Sequence, residues 1–171
     1  MLKALHEHKE KVTRAIFKPE TSGILKQVIS CSADGSILAW SLRPDARPNR
    51  FVGHTGIVND VSINQDGSLI ASCANDCTVR IWNNNARAYS KEMKGHSAPV
   101  KSIEFNRDGS LLVSASDDKL VKIWDVKKKK FTLSFAGHKN WVRSAVFSID
   151  SRVVASGSDD RTVKLWDVQY E

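Results

Sequence analysis

The sequence lacks the features that mark membrane and secreted proteins. No apolar run approaches the roughly 20 residues needed to cross a bilayer, and residues 1–8 have no apolar core of the kind found in secretory signal peptides. Only three of the 171 residues are cysteine, which suits a reducing compartment where thiols stay free. We therefore expect a cytoplasmic protein with no membrane contact.

Motifs of common enzymes and metal proteins are also missing. There is no P-loop, no glycine-rich dinucleotide motif and no zincin motif. Cys73 and Cys77 have a spacing that a metal pair could use, but Cys31 and Cys73 occupy one position in successive copies of a repeat, where Ala115 and Gly157 follow. Such a position favours a small buried side chain over a ligand. We expect no metal, no cofactor and no small-molecule substrate.

Acidic residues are fewer than basic residues. Lys and Arg number 26 against 19 Asp and Glu, which gives a net charge of +7 and a pI near 9.4. This balance favours acidic partners without choosing among them. The run Lys127–Lys130 is either a solvated loop or a contact for an acidic surface. Nucleic acid is disfavoured because the aromatic residues are needed for the core, which leaves no stacking platform.

A period of 42 residues organises what is present, and internal periods of this length indicate repeat architectures. Four markers recur in one frame: Trp40, Trp82, Trp124 and Trp166; Asp34, Asp76, Asp118 and Asp160; Ser30, Ser72, Ser114 and Ser156; and Gly53-His54, Gly95-His96 and Gly137-His138. In the first copy, His8 lies 46 residues before His54, because the loop at residues 18–27 is longer.

Each period contains short strands separated by turn residues. Alternating or continuous apolar segments bounded by Asn, Asp and Gly are typical of β-strands. In the second copy the predicted strands are Val58–Ile63, Leu69–Cys73, Thr78–Trp82 and Tyr89–Met93. Asn75 and Asp76 are expected to form a tight turn between the second and third strands, since Asn and Asp bond their own backbone and tolerate left-handed geometry. No helical periodicity is present, and the fold class is all-β.

The spacing from Gly-His to Trp-Asp resembles that of the WD40 repeat family. It is clearest from Gly137-His138 to Trp166-Asp167, while Ser41 and Asn83 depart from the final Asp. The resemblance implies a β-propeller of four-stranded antiparallel blades. We expect four repeats at about residues 8–48, 49–90, 91–132 and 133–171, with an orphan outer strand in residues 1–7, at Leu2–Leu5.

The number of blades in the complete ring stays open. Sixteen predicted strands suffice for four blades if the N-terminal strand completes the last one. WD40 rings usually have about seven blades, so we favour a segment of a larger ring. Two copies forming an eight-bladed ring and a closed four-bladed ring are the alternatives.

Ser, His and Asp in every repeat could suggest a catalytic triad. A catalytic site needs one activated pocket, however, and this set occurs four times. The family resemblance implies a structural hydrogen-bond network and no enzyme activity. The network residues are His8, Ser30, Asp34, Trp40, His54, Ser72, Asp76, Trp82, His96, Ser114, Asp118, Trp124, His138, Ser156, Asp160 and Trp166.

The resemblance also implies where a protein partner docks. Propellers bind across the loops that enter the innermost strands and the turns before the third strands. The expected residues are Lys11, Thr13, Ile57, Asn59, Pro99, Lys101, Trp141 and Arg143, with Ala33, Asn75, Asp117 and Asp159 in the turns. Trp141, Arg143, Lys101, Asn59 and Lys11 are the predicted partner-binding residues, because Trp and Arg dominate interface hot spots. For Trp141, packing against a neighbouring loop is the alternative.

Three stretches are similar to WD40 proteins of centrioles: Arg43–His54, Gly95–Ser102 and His138–Ser144. This similarity implies a structural component of centrioles, basal bodies and cilia that binds microtubule triplets, tubulin or centriolar structural proteins. Tubulin's acidic surface suits the net charge. The alternative is a generic WD40 adaptor in a signalling, ubiquitin-ligase or RNA-processing complex.

Overall fold

The computed structural model describes residues 4–19, 27–43, 46–85 and 90–169, and the regular structure in these ranges is entirely β. They contain no helix of the length and apolar character that crossing a membrane requires. The all-β prediction is confirmed.

Within the described residues, fifteen strands form four separate antiparallel sheets. Blade 1 contains β1 (Val12–Phe17), β2 (Gln27–Ser32), β3 (Ser36–Ser41) and β4 (Asn49–Val52). Blade 2 contains β5 (Val58–Ile63), β6 (Leu69–Ala74), β7 (Thr78–Asn83) and β8 (Ser90–Lys94). Blade 3 contains β9 (Val100–Phe105), β10 (Leu111–Ser116), β11 (Leu120–Asp125) and β12 (Lys130–Ala136). Blade 4 contains β13 (Val142–Phe147), β14 (Val153–Ser158) and β15 (Val163–Asp167).

Within each blade the strands pair in sequence order, and the first strands of neighbouring blades lie side by side. The predicted strands of the second repeat are found within one or two residues of their expected ends. Tyr89, the expected first residue of the outer strand, lies outside the described residues.

The N-terminal outer strand expected at Leu2–Leu5 falls mostly outside the described residues, which begin at Ala4. Ala4 and Leu5 themselves are not in a strand. In the described part of the chain, blade 4 therefore has three strands where the repeat pattern predicts four.

The tight turn expected at Asn75 and Asp76 lies between the second and third strands as predicted. Left-handed backbone occurs neither at Asn75 nor at Asp76 but one residue later, at Cys77, where φ is 66°. The Asp76 carboxylate accepts the N–H of Thr78 at 3.0 Å, so the aspartate side chain fixes the turn and the reversal falls on the residue between them. The same position in the other blades is left-handed too, at Gly35, Lys119 and Arg161.

The core consists of three layers, each between two neighbouring blades. One side of a layer comes from the second and third strands of a blade, and the other side comes from the next blade, including its innermost strand and its tryptophan. The three valines at one position of the innermost strands, Val58, Val100 and Val142, are completely buried. Each buried aliphatic side chain of this size contributes about 1.5–3 kcal/mol.

Side-chain oxygens also join the innermost strands across blades. Asp60 on β5 accepts the backbone N–H of Ile103 at 3.2 Å, and Glu104 on β9 accepts that of Phe147 at 2.9 Å. Burial raises the pKa of both carboxyl groups. These contacts satisfy backbone N–H groups of the innermost strands that have no partner strand on that side.

Candidate docking face

The repeated polar residues of blade 2 form one continuous chain of hydrogen bonds. His54 Nδ1–H donates to Asp76 Oδ2 at 2.8 Å, and His54 Nε2 accepts from the Ser72 hydroxyl at 2.8 Å. Trp82 Nε1–H donates to the same Ser72 oxygen at 2.8 Å. One imidazole tautomer satisfies all three contacts.

The other blades contain the same series of hydrogen bonds with nearly the same distances. In blades 3 and 4 all three distances are 2.7–2.8 Å. In blade 1 the contact from His8 to Asp34 is longer, at 3.3 Å, while the two contacts to Ser30 are 2.7 and 2.8 Å. The structure thus brings together all sixteen residues of the predicted network, four in each blade.

The chemistry of this network is structural. Ser72 is fully buried and its oxygen already serves both His54 and Trp82, so it has no access to a substrate. Burial lowers the pKa of His54 although Asp76 opposes the effect, which favours the neutral imidazole. Burial raises the pKa of Asp76, but hydrogen bonds from Thr78 and His54 outweigh it and hold that pKa below its usual range.

One member of the network was missed in the sequence. A hydroxyl two residues after the turn aspartate donates to that aspartate: Ser36 to Asp34 at 2.7 Å, Thr78 to Asp76 at 2.7 Å and Thr162 to Asp160 at 2.6 Å. The same 42-residue step would have revealed it, since Ser or Thr recurs there in three copies. Blade 3 has Leu120 at this position.

Backbone hydrogen bonds tie the two sets of loops into a single surface. In every blade, the first residue of the turn before the third strand donates its backbone N–H to a backbone carbonyl. The carbonyl belongs to the residue that precedes the innermost strand. The pairs are Ala33 to Lys11 (3.0 Å), Asn75 to Ile57 (2.9 Å), Asp117 to Pro99 (2.9 Å) and Asp159 to Trp141 (2.9 Å). We call this surface, which also carries the side chains of Thr13, Asn59, Lys101 and Arg143, the loop face.

Two of the predicted partner-binding residues are engaged within the loop face. Asn59 donates to Asn75 Oδ1 at 2.9 Å and to the Val100 carbonyl at 2.6 Å. Lys101 Nζ lies 3.2 Å from Asn75 Oδ1 and 3.4 Å from Asp117. Both side chains therefore link neighbouring blades.

Trp141 is the prominent apolar feature of this surface. Its side chain is 46% exposed, and the Arg143 guanidinium lies over the indole at 4.9 Å from the ring centroid. Arg143 binds both carboxylate oxygens of Asp159, at 2.6–3.0 Å, and lies 3.7 Å from Asp117. The hydrogen bond to Asp159 raises the pKa of Arg143. The indole is held in place while one of its sides stays open to solvent.

The charges at the centre of the loop face largely cancel. Lys101 and Arg143 are balanced by Asp117 and Asp159. Five further cations on the same loops are exposed and form no ion pair within the described residues. These five, which we call the basic rim, are Lys9, Lys11, Lys119, Lys139 and Arg161. Sequence reasoning selected only Lys11 among them.

The described residues hold no group of three or more His, Cys, Asp or Glu side chains arranged to bind a metal ion. Cys31 and Cys73 are buried in the layers between blades. Burial raises the pKa of Cys31 to about 12, so its thiol is a poor nucleophile at neutral pH.

Four sheets with a shared polar network define a repeat protein of the β-propeller class. The WD40 profile, described as WD domain, G-beta repeat, matches residues 47–83, 88–125 and 129–167, which is more than half of the chain. The chain belongs to the WD40 repeat family, whose repeats indicate a protein-interaction scaffold and are generally non-catalytic.

One relative is a fungal WD-repeat protein. The chain is similar to cross-pathway control WD-repeat protein 2 of Flammulina velutipes, with 36% identity over 64 residues. That alignment covers 37% of this chain and 20% of the relative. The chain matches about a fifth of the length of this relative, so the likeness concerns the repeats and not the whole protein.

Proposed function

We propose that this chain is a non-catalytic scaffold that docks an acidic protein segment on its loop face, with Trp141 as the apolar anchor. The observation that carries the proposal is the ordered stack of Asp159, Arg143 and the half-exposed indole. A tryptophan buries on the order of 150–250 Å² when it is covered. Because Asp159 already fixes Arg143, docking orders few additional side chains, which lowers the entropic cost of binding.

The basic rim supports an acidic partner. Its five exposed cations lie on the same loops as the charge-balanced residues and Trp141, so an acidic segment that docks there can contact both positive charge and the apolar indole. Charges at the rim of an interface mainly increase the rate of association and make it sensitive to salt.

A finer candidate for the partner is a centriolar one. We propose as this candidate a cytoplasmic role in centrioles and basal bodies, with binding to microtubule triplets or their associated proteins. It is supported by the similarity of Arg43–His54, Gly95–Ser102 and His138–Ser144 to the centriolar WD40 protein called proteome of centriole protein 1. It is also supported by the net charge and by two exposed lysines, Lys127 in the turn after β11 and Lys130 at the start of β12. A generic adaptor role fits the loop face equally well.

The docking face is tested by the double variant Trp141→Ala/Arg143→Glu in a quantitative pull-down with mass-spectrometric readout. We expect the partners retained by the wild type to be lost, while circular dichroism shows an unchanged fold. Ile149→Ala is the matched control, because Ile149 is also exposed but lies at the opposite ends of the strands. Retention of every partner by the folded double variant would refute the docking face.

The microtubule candidate is tested by co-sedimentation at low and moderate salt. We expect pelleting with microtubules that weakens as salt rises, and weaker pelleting still for Lys127→Glu/Lys130→Glu. The absence of salt-sensitive pelleting would remove direct microtubule binding and leave the adaptor role.

A further inference from the structure

Lys122 on β11 is a buried cation that has no carboxylate partner among the described residues. The residue is only 5% exposed. Its Nζ donates to the Ser134 hydroxyl at 3.0 Å and lies 4.0 Å from the centroid of the Phe131 ring. Asp118 acts on Lys122 electrostatically but makes its ion pair with His96 instead. Burial lowers the pKa of Lys122, because the ammonium group loses its hydration there.

Blade 2 shows what the same position holds when a partner is present. Arg80 occupies the position of Lys122 one repeat earlier, and Glu92 occupies that of Ser134. In both blades the two residues lie directly opposite each other on the third and fourth strands. Glu92 accepts a hydrogen bond from Arg80 and balances its charge. In blade 3 a neutral hydroxyl therefore lies where blade 2 carries an anion.

The Ser134 hydroxyl is accessible although the amine behind it is buried. Ser134 is exposed. Its neighbours Leu133 and Phe135 pack into the layer shared with blade 4, and successive side chains of a strand point to opposite faces of the sheet. Ser134 consequently faces away from blade 4, on the side of blade 2. Its exposure does not depend on what packs against the last blade.

The strand that carries Ser134 has two features of a segment that a protein kinase binds. β12 is the outermost strand of blade 3 and, in the described part of the chain, pairs only with β11, so its other edge is free for an extended contact. The run Lys127–Lys130 precedes Ser134 by four to seven residues. Lys127 and Lys130 are exposed, which suits a kinase whose substrate groove is acidic.

We propose that Ser134 is a phosphorylation site, and that its phosphate group forms with Lys122 the ion pair that blade 3 lacks. A Ser/Thr protein kinase that recognises basic sequences transfers the γ-phosphoryl group of ATP to Ser134 Oγ. The bond from Oγ to phosphorus forms, the bond from phosphorus to the β,γ-bridging oxygen breaks, and ADP leaves. The hydroxyl proton passes to the catalytic aspartate of the kinase.

The position of the amine favours this ion pair. A phosphoserine carries about −1.5 to −2 charges at pH 7 and three strong acceptor oxygens. Lys122 Nζ is already within hydrogen-bond distance of Ser134 Oγ, so rotation of the two side chains brings a phosphate oxygen to the amine. A hydrogen bond between two charged groups is roughly twice as strong as one between neutral groups. Phosphorylation is therefore expected to hold β12 more firmly on β11.

Thr132 is an exposed hydroxyl on the same strand that lacks such a partner. Its Oγ1 donates to the Ile123 carbonyl at 3.4 Å. The register between β11 and β12 shifts between Ile123 and Trp124, so Thr132 is paired with no residue of β11. A phosphate group at position 132 would add the same charge to β12 without meeting the buried amine, which makes this position a matched control.

Incorporation of phosphoserine at position 134 of the 171-residue chain tests the ion pair. Urea denaturation at neutral pH is expected to give an unfolding equilibrium constant at least about tenfold smaller than that of the unmodified chain, the usual order for a hydrogen bond to a charged group. Phosphoserine at position 132 is expected to give no such gain. The proposal is overturned if phosphoserine at position 134 leaves stability unchanged or lowers it, or if position 132 gives the same gain.

Lys122→Met tests whether Lys122 is the group that binds the phosphate. Replacing an unpaired buried cation by an apolar side chain of similar volume is expected to preserve the fold, which circular dichroism checks. In this variant phosphoserine at position 134 is expected to give no stabilisation. Phosphorus NMR provides a second readout, since the ion pair lowers the second pKa of the phosphate below its usual value of about 6. The same titration midpoint with Lys and with Met at position 122 would exclude the pairing.

Phosphorylation of the folded chain tests accessibility. A Ser/Thr kinase that modifies a peptide of residues 126–138 at Ser134 is incubated with the chain and Mg-ATP. We expect mass spectrometry to locate one phosphoryl group at Ser134, and we expect slower modification of Lys127→Glu/Lys130→Glu. A folded chain that stays unmodified at Ser134, or that is modified only at Thr132, overturns the proposal.

The outcome is independent of the loop face. Ser134→Ala is expected to abolish the modification while it keeps the partners that bind through Trp141. Trp141→Ala/Arg143→Glu is expected to lose those partners while Ser134 is phosphorylated at the wild-type rate.

Discussion

Blade 3 and blade 4 make the same three hydrogen bonds among His, Asp, Ser and Trp at 2.7–2.8 Å, yet they differ in burial. Trp124 in blade 3 is completely buried, packed against its neighbours and against Phe131 of its own outer strand. Trp166 in blade 4 donates the same hydrogen bond and stacks on Phe135, but it is only half-buried, since no outer strand covers it within the described residues.

The comparison separates two origins of stability. The hydrogen bonds are made between residues of one repeat and form whether or not the blade has neighbours on both sides. The burial of apolar surface depends on what packs against the blade. The prediction that all four tryptophans are core residues therefore holds for three of them and in part for Trp166.

The largest expected effect is the difference between two alanine substitutions. Trp124→Ala is expected to lower the free energy of unfolding by about 3–5 kcal/mol, the usual cost of removing a buried aromatic side chain. Trp166→Ala is expected to cost about half as much or less, since part of its side chain stays in water.

Urea denaturation followed by circular dichroism measures both costs. Equal costs for the two variants would contradict the comparison.

Lowering the pH is expected to destabilise blade 2, which is covered by a neighbouring blade on both sides. Burial lowers the folded-state pKa of His54 below its usual 6.5, so the unfolded chain takes up more protons as the pH falls. The stability contributed by the neutral imidazole is complete above pH 6.5 and is lost as the pH falls through the folded-state pKa. Asp76, whose folded-state pKa lies below 3.8, adds a further loss below about pH 4.

Thermal unfolding across this pH range measures the effect. His54→Asn is expected to be less stable at neutral pH and to show a shallower fall between about pH 7 and pH 5. If the wild type and His54→Asn show the same slope in this interval, His54 is not the group responsible.

The smallest expected effect comes from replacing Leu120 in blade 3. Leu120 occupies the repeat position at which Thr162 of blade 4 donates a hydrogen bond to its turn aspartate, Asp160. Leu120→Thr supplies the missing donor to Asp118 and is expected to stabilise the chain by about 0.5–1.5 kcal/mol, the usual net value of a hydrogen bond. Leu120→Val is the matched control for shape without a hydroxyl. The interpretation fails if Val and Thr at this position have the same midpoint in urea.

Particular residues show how far sequence reasoning reached. The period set by Trp40 and its counterparts was enough for the fold class and the strands, because alternation and turn residues act over a few positions. The tight turn at Asn75 and Asp76 was anticipated, but the left-handed backbone of Cys77 was not, since the Asp76 side chain that fixes the turn acts through a contact with Thr78.

The loop face was also anticipated only in part. The position of Trp141 within its repeat predicted its place on the face, but the pairing of Lys101 and Arg143 with Asp117 depends on loops from neighbouring blades. The cations that remain available to attract an acidic partner are consequently those of the basic rim. Only the assembled surface distinguishes neutralised cations from exposed ones.

The sequence by itself determined the repeat, the fifteen described strands and sixteen residues of the polar network, because these depend on contacts within about 42 residues of chain. The tertiary structure decided which repeated residues are buried and which cations are paired. Burial and charge pairing are properties of neighbouring blades, so identical motifs at the middle and at the end of the chain have different surroundings.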